Sequence, residues 1–234
     1  MSDDSISLNK YISSTGICSR READRMIEAG RVLLNGEVAR KGNRVFPGDE
    51  VTLDGEVVSE KPKPVYIALH KPPGITSTTD RRDRDNIIDF VGHPQRIFPI
   101  GRLDKASSGL ILLTNDGDIV NEVLREENEH EKEYIVTVDK PINERFVQRM
   151  QNGIPILGTV TKKCEVEQLG KATFRIVLTQ GLNRQIRRMC EYLGYEVRTL
   201  KRIRIMHIQL GELQPGQWRE LSAKELKLLL SKTN

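Results

Sequence analysis

The sequence predicts an α+β protein of two domains, a small helix-and-hairpin module followed by a larger domain on a mixed, mainly antiparallel sheet with flanking helices. Three observations carry that prediction. The stretch Ser59-Glu60-Lys61-Pro62-Lys63-Pro64 combines prolines with charge, has no hydrophobic periodicity, and reads as a stiff, exposed linker. Ahead of it, one capped helix gives way to short apolar runs separated by tight turns. Behind it, β-branched or alternating segments are interleaved with helical ones. The boundaries expected are residues 1–60 for the first domain, 61–64 for the linker and 65–234 for the second.

In the first domain, Ser19-Arg20-Arg21-Glu22 has the spacing of a capping box, in which Ser19 and Glu22 satisfy backbone donors at a helix start. The helix should run to about Gly30, with Ala23, Met26 and Ile27 as its apolar stripe and Arg21 and Arg25 on another face. Val32-Leu33-Leu34, the turn pair Asn35-Gly36, Val45, the turn Pro47-Gly48-Asp49 and Val51-Thr52-Leu53 then read as short strands.

In the second domain, strands are expected at Val65 to Leu69, Gly109 to Leu113, Tyr134 to Val138, Thr173 to Leu178 and Val197 to Leu210. Helices are expected from Asn115 or Asp116 towards Arg125, near Asn143 to Gln151, from Asn183 to Leu193, and from Ala223 to Ser231.

Composition narrows the function. With 37% hydrophobic residues in 234, there is apolar material for one sizeable core and a small extra module. No run of 18 apolar residues occurs, and Met1-Ser2-Asp3-Asp4 lacks the basic and apolar regions of a secretory signal, so a cytoplasmic protein without membrane association is expected. Cys18, Cys164 and Cys190 are too few and too widely spaced for a disulfide framework or a CxxC zinc site. Four scattered histidines, with no HExxH pattern, favour metal-free chemistry.

The net charge of +4 says little, but its distribution says more. Between Gln180 and Arg204, seven Lys and Arg stand against Glu191 and Glu196, and a second group, Lys10, Arg20, Arg21, Arg25 and Arg31, lies near the amino terminus. Clustered cations suit a phosphate backbone, because neutralising phosphates releases condensed counterions. A solvated charged surface would have the same composition.

One loop has the composition of an active site. Gly101-Arg102-Leu103-Asp104-Lys105-Ala106-Ser107-Ser108-Gly109 sets an acid between two cations, bracketed by glycines that let backbone approach a ligand. In the helix expected from Asn183, Ile186, Met189, Cys190 and Leu193 form the buried stripe, while Arg184, Arg187, Arg188 and Glu191 are spaced to share another face. Arginines in the first turns of a helix oppose its dipole, and such a broken local rule often marks a functional site.

Two resemblances sharpen these readings. Leu8-Asn9-Lys10-Tyr11-Ile12, Cys18 to Asp24, Gly30-Arg31-Val32 and Pro47-Gly48-Asp49 resemble the RNA-binding domain of the ribosomal-protein S-four type. That likeness implies Lys10, Arg20, Arg21 and Arg25 as phosphate contacts. The Asp104 loop, Lys71-Pro72-Pro73-Gly74, Glu131-Lys132-Glu133-Tyr134 and Gln180 to Met189 together resemble the motif set of the pseudouridine synthases. The subfamily is the one that joins an S-four-type domain to a catalytic domain and modifies ribosomal RNA. Gly153 to Gly158 and Thr161 to Cys164 point to its large-subunit branch.

The second resemblance implies cofactor-free isomerisation of a uridine within RNA, through cleavage of its glycosidic bond, rotation of the uracil and bond formation at carbon 5. It makes Asp104 the catalytic aspartate, acting as nucleophile or as base towards the ribose. Arg187 becomes the partner that keeps Asp104 charged, and Tyr134 the aromatic that stacks on the displaced uracil. Leu200 would complete the apolar side of the pocket, and Arg102 would occupy the space left by a flipped base. Lys71, Arg81, Arg82, Arg84 and Arg184 are candidates for flanking phosphates, although Arg81 to Arg84 read equally well as a charged surface loop. Ribosomal RNA is the implied partner, with transfer RNA as an alternative, and nothing demands more than a monomer. The competing class is an RNA-binding or assembly factor without activity.

Overall fold

The computed structural model describes residues 4–58, 61–124 and 129–231. Ser59 and Glu60, at the expected end of the first domain, therefore lie outside the described residues, as does Arg125 at the expected end of a helix. The chain divides into two compact units: Met1–Pro64 with Pro94–Arg96 and Asn115–Gly117, and Val65–His93 with Ile97–Thr114 and Asp118–Asn234. No described helix is long and apolar enough to cross a membrane.

In the first unit, β1 (Ile6–Ser7) leads directly into α1 (Leu8–Ser14), which is followed by α2 (Arg20–Glu28). The capping box forms: Glu22 N donates to Ser19 Oγ at 3.2 Å, and Ser19 N donates to the Glu22 carboxylate at 2.7 Å. Ala23 and Ile27 are buried and Met26 is half-buried, while Arg20, Arg21 and Arg25 are exposed. β2 (Val32–Leu34), β3 (Glu37–Val38), β4 (Arg44–Val45), β5 (Val51–Leu53) and β6 (Glu56–Val57) follow. β3-β2-β5-β6 form an antiparallel sheet, and β1 pairs with β4. Asn35 and Gly36 both take positive φ, 52° and 82°, the backbone a two-residue hairpin requires. Asp54 and Gly55 repeat the device between β5 and β6, with φ of 51° and 87°. α1 is the element without a periodic signal, because its single turn-to-turn apolar pair, Leu8 and Ile12, is too short to register as one.

The second unit contains β7 (Tyr66–Lys71), α3 (Ile87–Val91), β8 (Phe98–Ile100), β9 (Ser108–Thr114), α4 (Gly117–Leu124), β10 (Lys132–Val138) and α5 (Glu144–Asn152). Then come the hairpin β11 (Pro155–Ile156) and β12 (Thr159–Val160), β13 (Glu165–Gly170), β14 (Thr173–Leu178) and α6 (Gln185–Tyr192). β15 (Val197–Ile205), β16 (Ile208–Gln209), β17 (Trp218–Glu220) and α7 (Ala223–Ser231) complete it.

Its sheet runs β13-β14-β10-β15-β9-β7-β17, with β16 on β15 and β8 on β9. Among the described strands only β15 and β9 pair in parallel, through Lys201↔Ser108 and Arg202↔Gly109, so the sheet is mixed and mainly antiparallel. On one face, Ile67, Ile111, Val136 and Phe174 pack with Phe146 of α5 and Met189 of α6. On the other, Ala68, Leu110 and Leu112 pack with Ile119 of α4 and Leu229 of α7. β7 and β9 are buried on both faces, which is why they read as unbroken apolar runs rather than alternations.

The departures from expectation have local causes. Met206 adopts φ 53° and turns the expected strand Val197 to Leu210 into the hairpin β15–β16. α6 starts at Gln185 rather than Asn183 because Arg184 takes a left-handed conformation. β8, β13 and β17 carry Pro, Gly and charged residues that mute a strand signal, and tertiary pairing supplies what propensity lacks.

Candidate active site

The loop between β8 and β9 carries Asp104, and its backbone is tied on both sides of that residue. Ser77 Oγ donates to Leu103 O at 2.8 Å and accepts from Leu103 N at 3.2 Å. Gly74 N donates to Lys105 O at 2.7 Å, and Ser107 N closes the turn on Asp104 O at 2.9 Å. The Lys71 ammonium, wholly buried, donates to Pro72 O and Ile75 O at 2.9 Å and lies 3.4 Å from Lys105 O, so it joins the Pro72–Ile75 turn to the Asp104 loop. Burial pushes Lys71 down to about 8, against the opposing pull of Asp104 and with the help of Arg202.

Across the cleft, α6 presents Arg187. Its Nη2 donates to the buried Ser107 Oγ at 2.9 Å, and its Nε stands 3.6 Å from Asp104 Oδ2. The three arginines do not share a face. Arg187 is buried at 9% exposure, Arg184 is exposed at the helix start, and Arg188 folds back so that its Nε donates to Asn183 O at 3.0 Å. The anomaly of a cation in the first turn of α6 is thus offset by an anion outside the helix. The start of α6 is built by two buried amides: Leu182 N donates to Gln185 Oε1 at 3.0 Å, and Gln185 Nε2 donates to Gln180 Oε1 at 3.2 Å.

Asp104 and Arg187 line a cleft of about 650 Å³ whose apolar wall includes Tyr134, Leu178, Ile186 and Leu200. Tyr134 of β10 pairs with Arg202 of β15, and Val136 pairs with Leu200, so alternate residues of two adjacent strands face the same side. The Asp104 side chain is 35% exposed and therefore open to the cleft. Arg102 and Arg184 are exposed at its margin.

The other sequence candidates fall into three groups. Lys71 is withdrawn from any phosphate, because its ammonium is buried and bonded to carbonyls. Arg82 is held by Asp80, with Nη2 at 2.6 Å, and Arg81 lies 3.5 Å from Asp89, whereas exposed Arg84 has no ion-pair partner among the described residues. Lys10, Arg20, Arg21 and Arg25 belong to the first unit, on α1 and α2. Gly109 serves a different end from ligand approach: a Cβ there would lie 2.1 Å from Arg202 O, so glycine is what lets β9 and β15 pair. The burial of Ser77, Ser107, Gln180, Gln185 and Arg202 is not legible in the sequence, since single polar or charged residues carry no periodic signal of burial.

Comparison with known proteins identifies the family. The family model described as RNA pseudouridylate synthase matches residues 65–192, and an S4 domain model matches residues 7–51. The chain is 60% identical over 226 residues to the dual-specificity RNA pseudouridine synthase RluF of Escherichia coli strain K12, covering 96% of this chain and 78% of that one. It is 38% identical over 231 residues to the ribosomal large subunit pseudouridine synthase B of Bacillus subtilis strain 168, covering 95% and 94% of the two chains. A crystal structure of a pseudouridylate synthase superposes with a TM-score of 0.71 at 29% identity, over 96% of this chain and 99% of that one. On the extent of these matches, the chain belongs to the RNA pseudouridine synthases, which convert uridine to pseudouridine within RNA.

Proposed function

We propose that the enzyme isomerises a specific uridine in large-subunit ribosomal RNA, with Asp104 as its catalytic carboxylate. The observation that carries this reading is a carboxylate open to a cleft, facing a buried arginine at 3.6 Å. The name of the relative from Bacillus subtilis specifies the large ribosomal subunit, and that of the relative from Escherichia coli specifies dual specificity. Together they support a ribosomal substrate, with a structured transfer RNA as the candidate for a second.

A stacked uridine cannot reach a carboxylate in a cleft, so the base is flipped out, at a cost of about a few kcal/mol. Arg102, exposed beside Asp104, fills the vacated space in the RNA. Tyr134 stacks on the uracil and helps remove the carbon 5 proton, and Leu200 closes the apolar side. Asp104 attacks C1′ as nucleophile or takes a ribose proton as base, and Arg187 holds it in place through Ser107. Arg184 and Arg84 grip flanking phosphates, with Arg81 and Arg82 released from their carboxylates as RNA arrives. Residues 1–60 grip RNA through Lys10, Arg20, Arg21 and Arg25, and residues 65–234 perform the chemistry.

The test is tritium release from ribosomal RNA labelled at carbon 5 of uridine. The wild type should release label, and Asp104→Asn should bind RNA without releasing it. Release by both proteins would remove Asp104 from the mechanism. Label retained by the wild type on ribosomal and transfer RNA alike would refute the substrate assignment.

A further inference from the structure

Three cations are buried around the cleft: Lys71 at 0% exposure, Arg202 at 5% and Arg187 at 9%. The ammonium of Lys71 is engaged by backbone carbonyls, and the guanidinium of Arg187 by Ser107 and Asp104. Arg202 differs. Its Nε donates to Leu110 O at 2.7 Å, which anchors the guanidinium, but its Nη2 is buried and has no hydrogen-bond partner among the described residues. Buried donors are almost always satisfied, so an unpartnered one on a residue that lines a reaction cleft points to a partner that arrives with the substrate, once the side chains covering it shift.

Its surroundings identify the visitor. Arg202 lines the cleft opposite Tyr134 on the neighbouring strand and two residues from Leu200 on its own. An aromatic ring and an aliphatic side chain suit a base, whereas the exposed Arg102 and Arg184 at the margin suit phosphates. The charge points the same way. The carboxylate that draws on both Lys71 and Arg187 is that of Asp104, so the buried part of the site carries more positive than negative charge. Uridine is neutral, but isomerisation leaves the electron pair of the N1–C1′ bond on the uracil, as an anion spread over N1, O2 and O4.

We propose that Arg202 is a further catalytic residue, whose Nη2 donates to a carbonyl oxygen of the uracil as the N1–C1′ bond breaks and stabilises the departing anion. This rests on the uridine isomerisation assigned above. As the ring turns, the bond to C1′ re-forms from the electron pair at C5, the C5 proton leaves and N1 takes up a proton, so atoms and charge balance. The single donor then holds the anion in the cleft without fixing the orientation that rotation must change.

The experiment compares Arg202→Gln with wild type under single-turnover conditions, on RNA carrying uridine or 5-fluorouridine at the target position, both read as loss of the N1-linked nucleotide, because C5 of the fluorinated ring has no proton to release. The fluorinated uracil is the more acidic and therefore the better leaving group. Loss of one such donor should slow the uridine reaction by about 100-fold, and the fluorinated substrate should lose at least several-fold less. Equal losses on the two substrates, or no loss, overturn the proposal in favour of a purely structural Arg202. Thermal unfolding and RNA binding report whether the variant is folded. Should Arg202→Gln fail to fold, Arg202→Lys is measured on the same pair, with the same two readings. A wild type inert on both RNAs would instead refute the isomerase assignment on which the proposal stands.

Discussion

Arg187 and Ser107, 80 residues apart in the chain, meet in a buried hydrogen bond of 2.9 Å that also brings the guanidinium to 3.6 Å from Asp104. One side chain from α6 thereby clasps the turn that carries the carboxylate, whose backbone is fixed independently by Ser77, Gly74 and Lys71. The site is a loop held at several points by strands and a helix, so that its geometry is set before RNA arrives.

The fork of Arg187 is what allows it to serve Ser107 and Asp104 together. Lys at this position keeps the charge but cannot reach both. Arg187→Lys should lower kcat by about 10–100-fold with little change in KM, and Arg187→Met should lower it further. Steady-state kinetics on ribosomal RNA measures both. Full activity in Arg187→Lys would mean that charge alone suffices.

Tyr134 offers a ring face and a hydroxyl, and two substitutions separate them. Tyr134→Phe should bind RNA as the wild type does and release tritium slowly. Tyr134→Leu should also weaken the flipped state, since base stacking on an aromatic is worth about 1–3 kcal/mol. Single-turnover rates and affinities are the readout. Wild-type rates in Tyr134→Phe would exclude the hydroxyl from proton removal.

Gly109 has φ of 109°, and a Cβ on it would lie 2.1 Å from Arg202 O and 2.5 Å from Arg202 N. The parallel pairing of β9 and β15 cannot survive that contact. Gly109→Ala should cost about 4 kcal/mol or more, measured by urea unfolding with circular dichroism. A variant as stable as the wild type would show that the strands separate at little cost.

Lys71 makes a statement about pH. Burial brings its folded-state value down to about 8 from 10.5. Between those values the unfolded chain binds the proton and the folded one does not, so stability rises with pH across that window. Below about 8 the full cost of the buried charge is present. Lys71→Met removes this titration. Its unfolding temperature relative to wild type should therefore be highest near neutrality and fall steadily as pH rises towards 10. A constant difference across that range would place the titration of Lys71 elsewhere.

Much of this molecule is written locally. Ser19 and Glu22 specify a helix start by spacing alone, Asn35-Gly36 specifies a hairpin by backbone preference, and the glycine-bracketed Asp104 loop announces itself between two apolar runs. These features depend on residues within a few positions of one another, so the chain carries them without reference to its fold. The motif resemblance extended that reading to Asp104, Tyr134 and Arg187, which the fold gathers around one cleft.

Tertiary structure alone decided how charge and burial are distributed. Lys71 looks like an exposed phosphate ligand beside Pro72 but ends beneath a loop, bonded to carbonyls. Arg187 looks like one of three surface arginines but turns inward, and Arg202 lies in an alternating basic strand yet is buried beside the cleft, with one donor unpartnered among the described residues. The reason is the crossover that sets β15 beside β9, a parallel pairing of segments distant in the chain. Periodicity states which residues of a strand share a face, but not which strand comes to lie alongside, and it is the neighbour that determines whether a cation meets water, a carbonyl or a carboxylate.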